Sequence, residues 1–294
     1  MRYGSAPIAL CCNADISSGM RIAVVAPSCP LKVEAAERVQ AIAAERGDCE
    51  LVIHPQCFLV AGHFAGPDEA RLAALREVMA DPSVDAVWFA RGGYGSNRIA
   101  EAALRDLPAA ASGKTYLGYS DAGFLLAGFY KAGLNVAWGP MPQDALRGDH
   151  GLDNGEAAVR RALDWLVTRD PAAVEPNIQA PAMAFNLTVL SNLLGTELEP
   201  DFSGVDLLIE EVSEQLYRID RTMFHVTASP NIKSVARIRL GRVSDVLAND
   251  PEFGGDGAAI VADWCARSGI TFGGSADIGH DAANKVVPFP SQNR

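Results

Sequence analysis

From residue 20 onward, short apolar runs alternate with longer stretches whose apolar positions recur at helical spacing. Residues 22–26 form the first run, stopped by Pro27, and Ser28-Cys29-Pro30 turns the chain. Residues 32–46 place Val33, Ala36, Val39, Ile42 and Ala43 on one face and stop at Gly47, which predicts a helix. A second strand is predicted over 49–54. After the loop Gly62-His63-Phe64-Ala65-Gly66, a helix capped by Asp68 runs to about residue 80. Asp81-Pro82 breaks it, and further strands are predicted over 84–90, 115–119 and 136–138. Strands and helices alternating at these lengths predict a parallel sheet with helices on both faces.

Between 140 and 182 the pattern changes. Prolines and glycines surround one helical stretch, 154–168, which reads as a crossing between two domains. The expected division is an extension over 1–19, a first domain over 20–145, a linker region over 146–182 and a second domain over 183–294. In the second domain, 185–194 reads as a short helix and 205–211 as a strand running into Glu210 and Glu211. Residues 216–227 read as a helix, 234–240 as a basic strand and 252–268 as a region holding another helix.

Composition narrows the function classes. The 294 residues are 49% hydrophobic and 21% charged, and carry a formal charge of -11. Such a surface repels phosphate backbones, so nucleic acid is not expected as a partner. No apolar run approaches the roughly 18 residues that cross a bilayer, and Pro7–Cys12 is too short for a signal-peptide core. No membrane partner is expected. The six cysteines, including the adjacent Cys11 and Cys12, lack metal-ligand spacing and read as reduced thiols of a cytoplasmic protein; no metal or cofactor is expected.

Two segments could carry chemistry. The predicted strand 115–119 ends in Gly118-Tyr119-Ser120-Asp121 and passes at once into the apolar run 124–129. That is the layout of a nucleophile elbow, and equally of a Ser-Asp pair capping a helix. Arg91-Gly92-Gly93-Tyr94-Gly95 follows the third strand, as a plain glycine turn or as an amide-rich lip where ligands bind in open α/β sheets. A serine nucleophile needs a base, and the histidines are His54, His63, His150, His225 and His280. His280 follows Gly279 in a loop near the chain end, where it could reach a crevice. Glu210 and Glu211 share a strand end, so only one can face a site; for Glu210 an exposed strand-end charge is the other reading.

With these residues in view, the chain resembles the LD-carboxypeptidase family of serine peptidases, which includes the microcin C self-immunity proteins. The resemblance runs in order through Ala26-Pro27-Ser28, Arg91-Gly92-Gly93-Tyr94-Gly95, Gly118-Tyr119-Ser120-Asp121 and Gly139-Pro140-Met141. It continues through Asn186-Leu187-Thr188, Leu208-Ile209-Glu210-Glu211 with Tyr217–Arg221, and Gly279-His280. It implies a Ser120–Glu210–His280 triad, with amides of Asp121, Gly92 and Gly93 as the oxyanion hole. It implies an α/β fold in which an N-terminal parallel-sheet domain carries the serine, a smaller C-terminal α/β domain carries Glu and His, and the site lies between them. A homodimer is also implied. The substrate it implies is cytoplasmic murein tetrapeptide, cut to release D-alanine. A substrate ending in a free carboxylate calls for a cation, for which Arg91, Arg218 and Arg221 are candidates, with Tyr94 on the same lip. Trp138 stands where relatives carry His, and Ala184-Phe185 where they carry Gly-Gly, which leaves the triad intact and opens the choice of substrate; two alternatives stand beside the murein reading. One is a self-immunity-type peptidase acting on acylated aminoacyl-nucleotides, with Trp138 or Trp165 under the base. The other is a non-catalytic ligand-binding protein.

Overall fold

The computed structural model describes residues 19–148, 155–178 and 181–291; the expected extension with Cys11 and Cys12, and His150, lie outside them. The first part of the chain forms β1 (Met20–Val25), α1 (Val33–Arg46), β2 (Cys49–Ile53), α2 (Asp68–Ala80) and β3 (Ala86–Phe89). It continues through α3 (Asn97–Leu104), β4 (Thr115–Gly118), α4 (Gly123–Lys131), β5 (Asn135–Trp138) and α5 (Gly155–Thr168). The second part forms β6 (Ala182–Asn186), α6 (Leu187–Leu193), β7 (Asp206–Val212), α7 (Leu216–Ala228) and β8 (Arg237–Ser244). It closes with α8 (Gly257–Ser268), β9 (Phe272–Ser275) and β10 (Val287–Pro288).

Two sheets result. The first has the order β10-β5-β4-β3-β1-β2, parallel except for β10, and the second runs β6-β7-β8-β9, all parallel. Alternation along β1 explains the layering. Ile22 and Val24 face one side and join α1 and α5 through Val39, Ile42, Leu163 and Leu166. Ala23 and Val25 face the other and join a core that runs without a break into Phe185, Leu207 and Ile209 of the second sheet.

One expectation is corrected, that of a helix over 185–194, and two features add to the expected division. Within the stretch 146–182 the helix α5 lays its apolar face, Val159, Ala162 and Leu163, on the first sheet's core, and Pro171 opens a 3-10 turn after it. Residues 185–194 divide into the end of β6 and the helix α6. Ala-Met-Ala-Phe-Asn is buried on both faces and so shows no strand period. The chain also leaves the second sheet at its end, since β10 pairs with β5 through Val287 and Trp138.

Candidate active site

Ser120 stands on a sharp turn between β4 and α4. Tyr119 is extended, Ser120 takes φ 59°, and a 3-10 turn over Ser120–Ala122 leads into the helix. Neither Ser120 nor Asp121 caps α4. The Asp121 carboxylate turns inward, accepting from the Ser28 hydroxyl at 2.5 Å and the Ser96 amide at 2.8 Å. The glycine segment after β3 lies against this turn. A methyl on Gly92 would sit 2.9 Å from Ser120 Cβ and 3.0 Å from its Oγ, so only glycine fits beside the serine. Gly93, at φ 101°, packs directly on Cys29.

The other two residues arrive from the second sheet. Glu210, near the end of β7, is completely buried, and its neighbour Glu211 points the other way, accepting from Asn186 Nδ2 at 2.7 Å and Thr188 Oγ1 at 2.7 Å. His280 follows β9 in a loop tied down by polar contacts. Gly279 N–H donates to Asn284 Oδ1 at 3.2 Å, and Arg161 Nη1 donates to the Ala282 and Asn284 carbonyls, each at 2.9 Å. The imidazole bridges the two sheets: Nδ1 lies 2.7 Å from Glu210 Oε2, and Nε2 lies 2.9 Å from Ser120 Oγ. Its side chain is 11% exposed and that of Glu210 0%. Burial works against the imidazolium, but the charge of Glu210 and its hydrogen bond outweigh it, so the His280 pKa is raised. With Glu210 accepting at Nδ1, a neutral ring carries its proton there and leaves Nε2 free to take one from Ser120.

A cavity of about 610 Å³ opens beside Ser120, with Gly93 and Tyr94 on one wall and Asn186, Thr188 and Glu211 on the other. Its charged lining is acidic: Glu101, Asp121, Glu211 and Glu214, with no lysine or arginine among the described residues. The arginines expected there lie elsewhere. Arg91 Nη1 donates to the Pro30 carbonyl at 3.0 Å, Arg221 lies over the Tyr217 ring at 5.5 Å, and Arg218 pairs with Glu214 at 3.6 Å. None of the three lines the cavity, and Arg218 reaches it only through its pair with Glu214 on the wall. Neither tryptophan lines it: Trp138 is buried and donates to Asn284 Oδ1 at 3.2 Å, and Trp165 is buried on α5. Tyr94, 47% exposed, is the open aromatic on the wall. Of the other histidines, His54 pairs with Glu77, His63 touches Cys29 at 3.1 Å, and His225 meets Ser191 at 2.8 Å. Among the described residues no group of three or more His, Cys, Asp or Glu is gathered as metal ligands would be. Sequence reasoning passed over Tyr119, Asp144 and Arg147, which lie under His280; Asp144 and Arg147 sit in a proline- and glycine-rich stretch with no local signature.

Residues 22–139 match the model of the LD-carboxypeptidase N-terminal domain, and residues 179–293 that of the LD-carboxypeptidase C-terminal domain. A protein of Synechocystis sp., provisionally named a carboxypeptidase, is 32% identical over 284 residues, covering 94% of this chain and 91% of that protein. The murein tetrapeptide carboxypeptidase of Pseudomonas aeruginosa is 25% identical over 283 residues, covering 92% and 91%. The crystal structure of a muramoyltetrapeptide carboxypeptidase from Oxalobacter formigenes superposes with a TM-score of 0.76 at 25% identity, covering 92% of each chain. The microcin C7 self-immunity protein, in complex with aspartyl sulfamoyl adenosine, shares the fold with a TM-score of 0.75 at 19% identity, covering 93% and 92%.

Proposed function

Starting from the premise that this chain belongs to the LD-carboxypeptidase family and is a serine-type carboxypeptidase, we propose that it releases the terminal D-alanine of murein tetrapeptide through Ser120, His280 and Glu210. One observation carries the reading: an unbroken chain of contacts, 2.9 Å from Ser120 Oγ to His280 Nε2 and 2.7 Å from Nδ1 to the buried Glu210. Ser120 Oγ attacks the scissile carbonyl while Nε2 takes its proton. In this reading the amide of Asp121 and one from the Gly92-Gly93 turn stabilise the oxyanion, and one such donor is worth about 3–4 kcal/mol in comparable sites. The intermediate collapses, His280 gives its proton to the leaving amine of D-alanine, and an acyl group stays on Ser120. Water then attacks that ester with His280 again as base, freeing the tripeptide carboxylate.

In this reading the serine-bearing sheet and the sheet carrying Glu210 are two working units, and the cavity beside Ser120 takes the peptide. The murein substrate is favoured over an acylated aminoacyl-nucleotide because both tryptophans offered as base platforms are buried away from that cavity. A cytoplasmic setting fits the four described cysteines, all buried and unpaired. We also propose a homodimer, which size-exclusion chromatography with light scattering checks directly. The deciding experiment incubates the full chain with murein tetrapeptide and, separately, with an acyl-aminoacyl-adenylate. Free D-alanine from the first alone is expected, and loss of that product in Ser120→Ala. Turnover by Ser120→Ala at the native rate would remove the mechanism.

A further inference from the structure

Beneath His280 lies a set of side chains that the chemistry above leaves unused. The Tyr119 ring packs on the imidazole, with centroids 4.9 Å apart and planes inclined at 53°. The Tyr119 hydroxyl donates to Asp144 Oδ1 at 2.8 Å. Arg147 Nη2 donates to both, at 3.1 Å to Tyr119 and 3.2 Å to Asp144, while its Nη1 donates to the backbone carbonyl of His280. Asp144 Oδ2 in turn accepts from the Met141 amide at 2.8 Å. Behind this turn stands the first residue of α5. A methyl on Gly155 would lie 2.9 Å from Arg147 N and closer still to the Asp144 and Arg147 carbonyls, so the helix can back the turn only because residue 155 is glycine.

We propose, on the reading that Ser120 and His280 do the chemistry, that Arg147 is a positioning residue that holds the imidazole at its distance from Ser120. Glu210 fixes which way the ring points, but it belongs to the second sheet and cannot by itself set the separation from β4. Arg147 supplies that reference. Its fork joins the main chain of the base to Tyr119, the residue immediately before the nucleophile, and to the turn that follows β5. A guanidinium presents two nitrogens at fixed spacing, whereas a lysine presents one point charge and can serve one of the two partners at a time. The charges facing His280 are Glu210 from β7 and Asp144 and Arg147 from the turn, with the neutral Tyr119 hydroxyl between them. Burial opposes protonation of His280, Glu210 and Asp144 favour it, and Arg147 opposes it.

The test measures kcat, KM and their pH dependence on murein tetrapeptide, in full-length Arg147→Met, Arg147→Lys and Asp144→Asn, with melting temperatures alongside. A displaced reacting group costs up to about 100-fold, so Arg147→Met is expected to lower kcat by about 10- to 100-fold. No cavity-lining group changes, so KM should move by less than about threefold. Arg147→Lys should recover part of kcat. The acid limb of kcat/KM should move to higher pH in Arg147→Met, which loses the opposing cation, and to lower pH in Asp144→Asn. Mere loosening of the fold would not give shifts of opposite sign. If Arg147→Met keeps kcat within about twofold and its acid limb in place, the proposal is overturned. Should that variant fail to fold, Arg147→Lys and Asp144→Asn decide by the same criteria. A Ser120→Ala control separates the two levels: turnover by it removes the reading and the clamp together, while an inactive Ser120→Ala beside a fully active Arg147→Met sinks the clamp alone.

Discussion

Ser120 holds φ 59°, a conformation that a residue with a side chain keeps only where its surroundings impose it. Here β4 on one side and the 3-10 turn into α4 on the other impose it, and the hydroxyl is thereby lifted toward His280. The strain belongs to the backbone, so it can be separated from the chemistry. Ser120→Gly and Ser120→Ala should both be inactive, yet the glycine variant should be the more stable by about 1 kcal/mol, read from urea unfolding. Equal stability would mean that the turn is not strained. Gly92 is the complementary case, its constraint lying in space rather than in φ. Gly92→Ala pushes a methyl onto the Ser120 side chain and should cost at least about tenfold in kcat, with folding retained. His280 supplies the pH dependence. Only its neutral form accepts the serine proton, and its pKa is raised, so activity is present above that raised value and is lost as pH falls through it. The acid limb of kcat/KM should therefore lie above the ordinary imidazole value of about 6.5. A limb below that value would contradict the pull of Glu210.

At the scale of elements, one-sided periodicity was legible and nonlocal pairing was not. The helix α1 showed its buried stripe in Ala36, Val39, Ile42 and Ala43, though Val33, expected on the same face, is exposed at the helix start, and the run from Thr115 showed both its strand and its turn. β6 did not, because a strand buried on both faces carries no alternation. The segment before it looked like a tether because its prolines and glycines are visible in sequence while the group that anchors it is not. Glu175 grips Arg239, 64 positions away, through two hydrogen bonds of 2.8 and 2.9 Å, both side chains being buried. Its amide also donates to Val286 beside β10, at 2.9 Å. The same distinction applies to the candidate site. The turn at Ser120 is written in ten consecutive residues, whereas Glu210 and His280 stood out from other carboxylates and histidines only through the family resemblance. Arg147 reaches the base only through a contact across 133 positions, and its nearer partners Asp144 and Tyr119 carry no local signature of it. The Glu175–Arg239 pair gives a prediction at this scale. Removing one partner of a buried pair typically costs 3–5 kcal/mol, but Asp206 stays 3.7 Å from Arg239 and offsets part of the loss. Glu175→Gln should therefore destabilise by about 3 kcal/mol, seen as a lower urea midpoint. A change below about 0.5 kcal/mol would show that the pair anchors nothing.

The whole molecule carries a formal charge of -11, and the cavity beside Ser120 repeats that sign locally. The Asp121 and Glu211 carboxylates are buried at the back of the cavity, whereas Glu101 is exposed and Glu214 half-buried, so the charge met at the mouth comes mainly from Glu101 and Glu214. Glu214 is partly balanced by Arg218 at 3.6 Å, and no ion pair reaches Glu101 among the described residues. A peptide with more carboxylates than amines therefore approaches against a repulsive field, with no guanidinium in the cavity to reverse it. Exposed charges are screened over about 30 Å at about 0.01 M salt and about 8 Å at about 0.15 M, so raising the salt should weaken that field before it affects buried contacts. kcat/KM toward an anionic tetrapeptide should rise by roughly two- to fivefold across this range, mainly through association. The same peptide with its free carboxylates amidated should show little change, and Glu101→Gln should flatten the rise for the acidic peptide. A fall in kcat/KM with added salt would mean that a cation meets the substrate at the mouth, and the acidic lining would then lose its role in substrate entry.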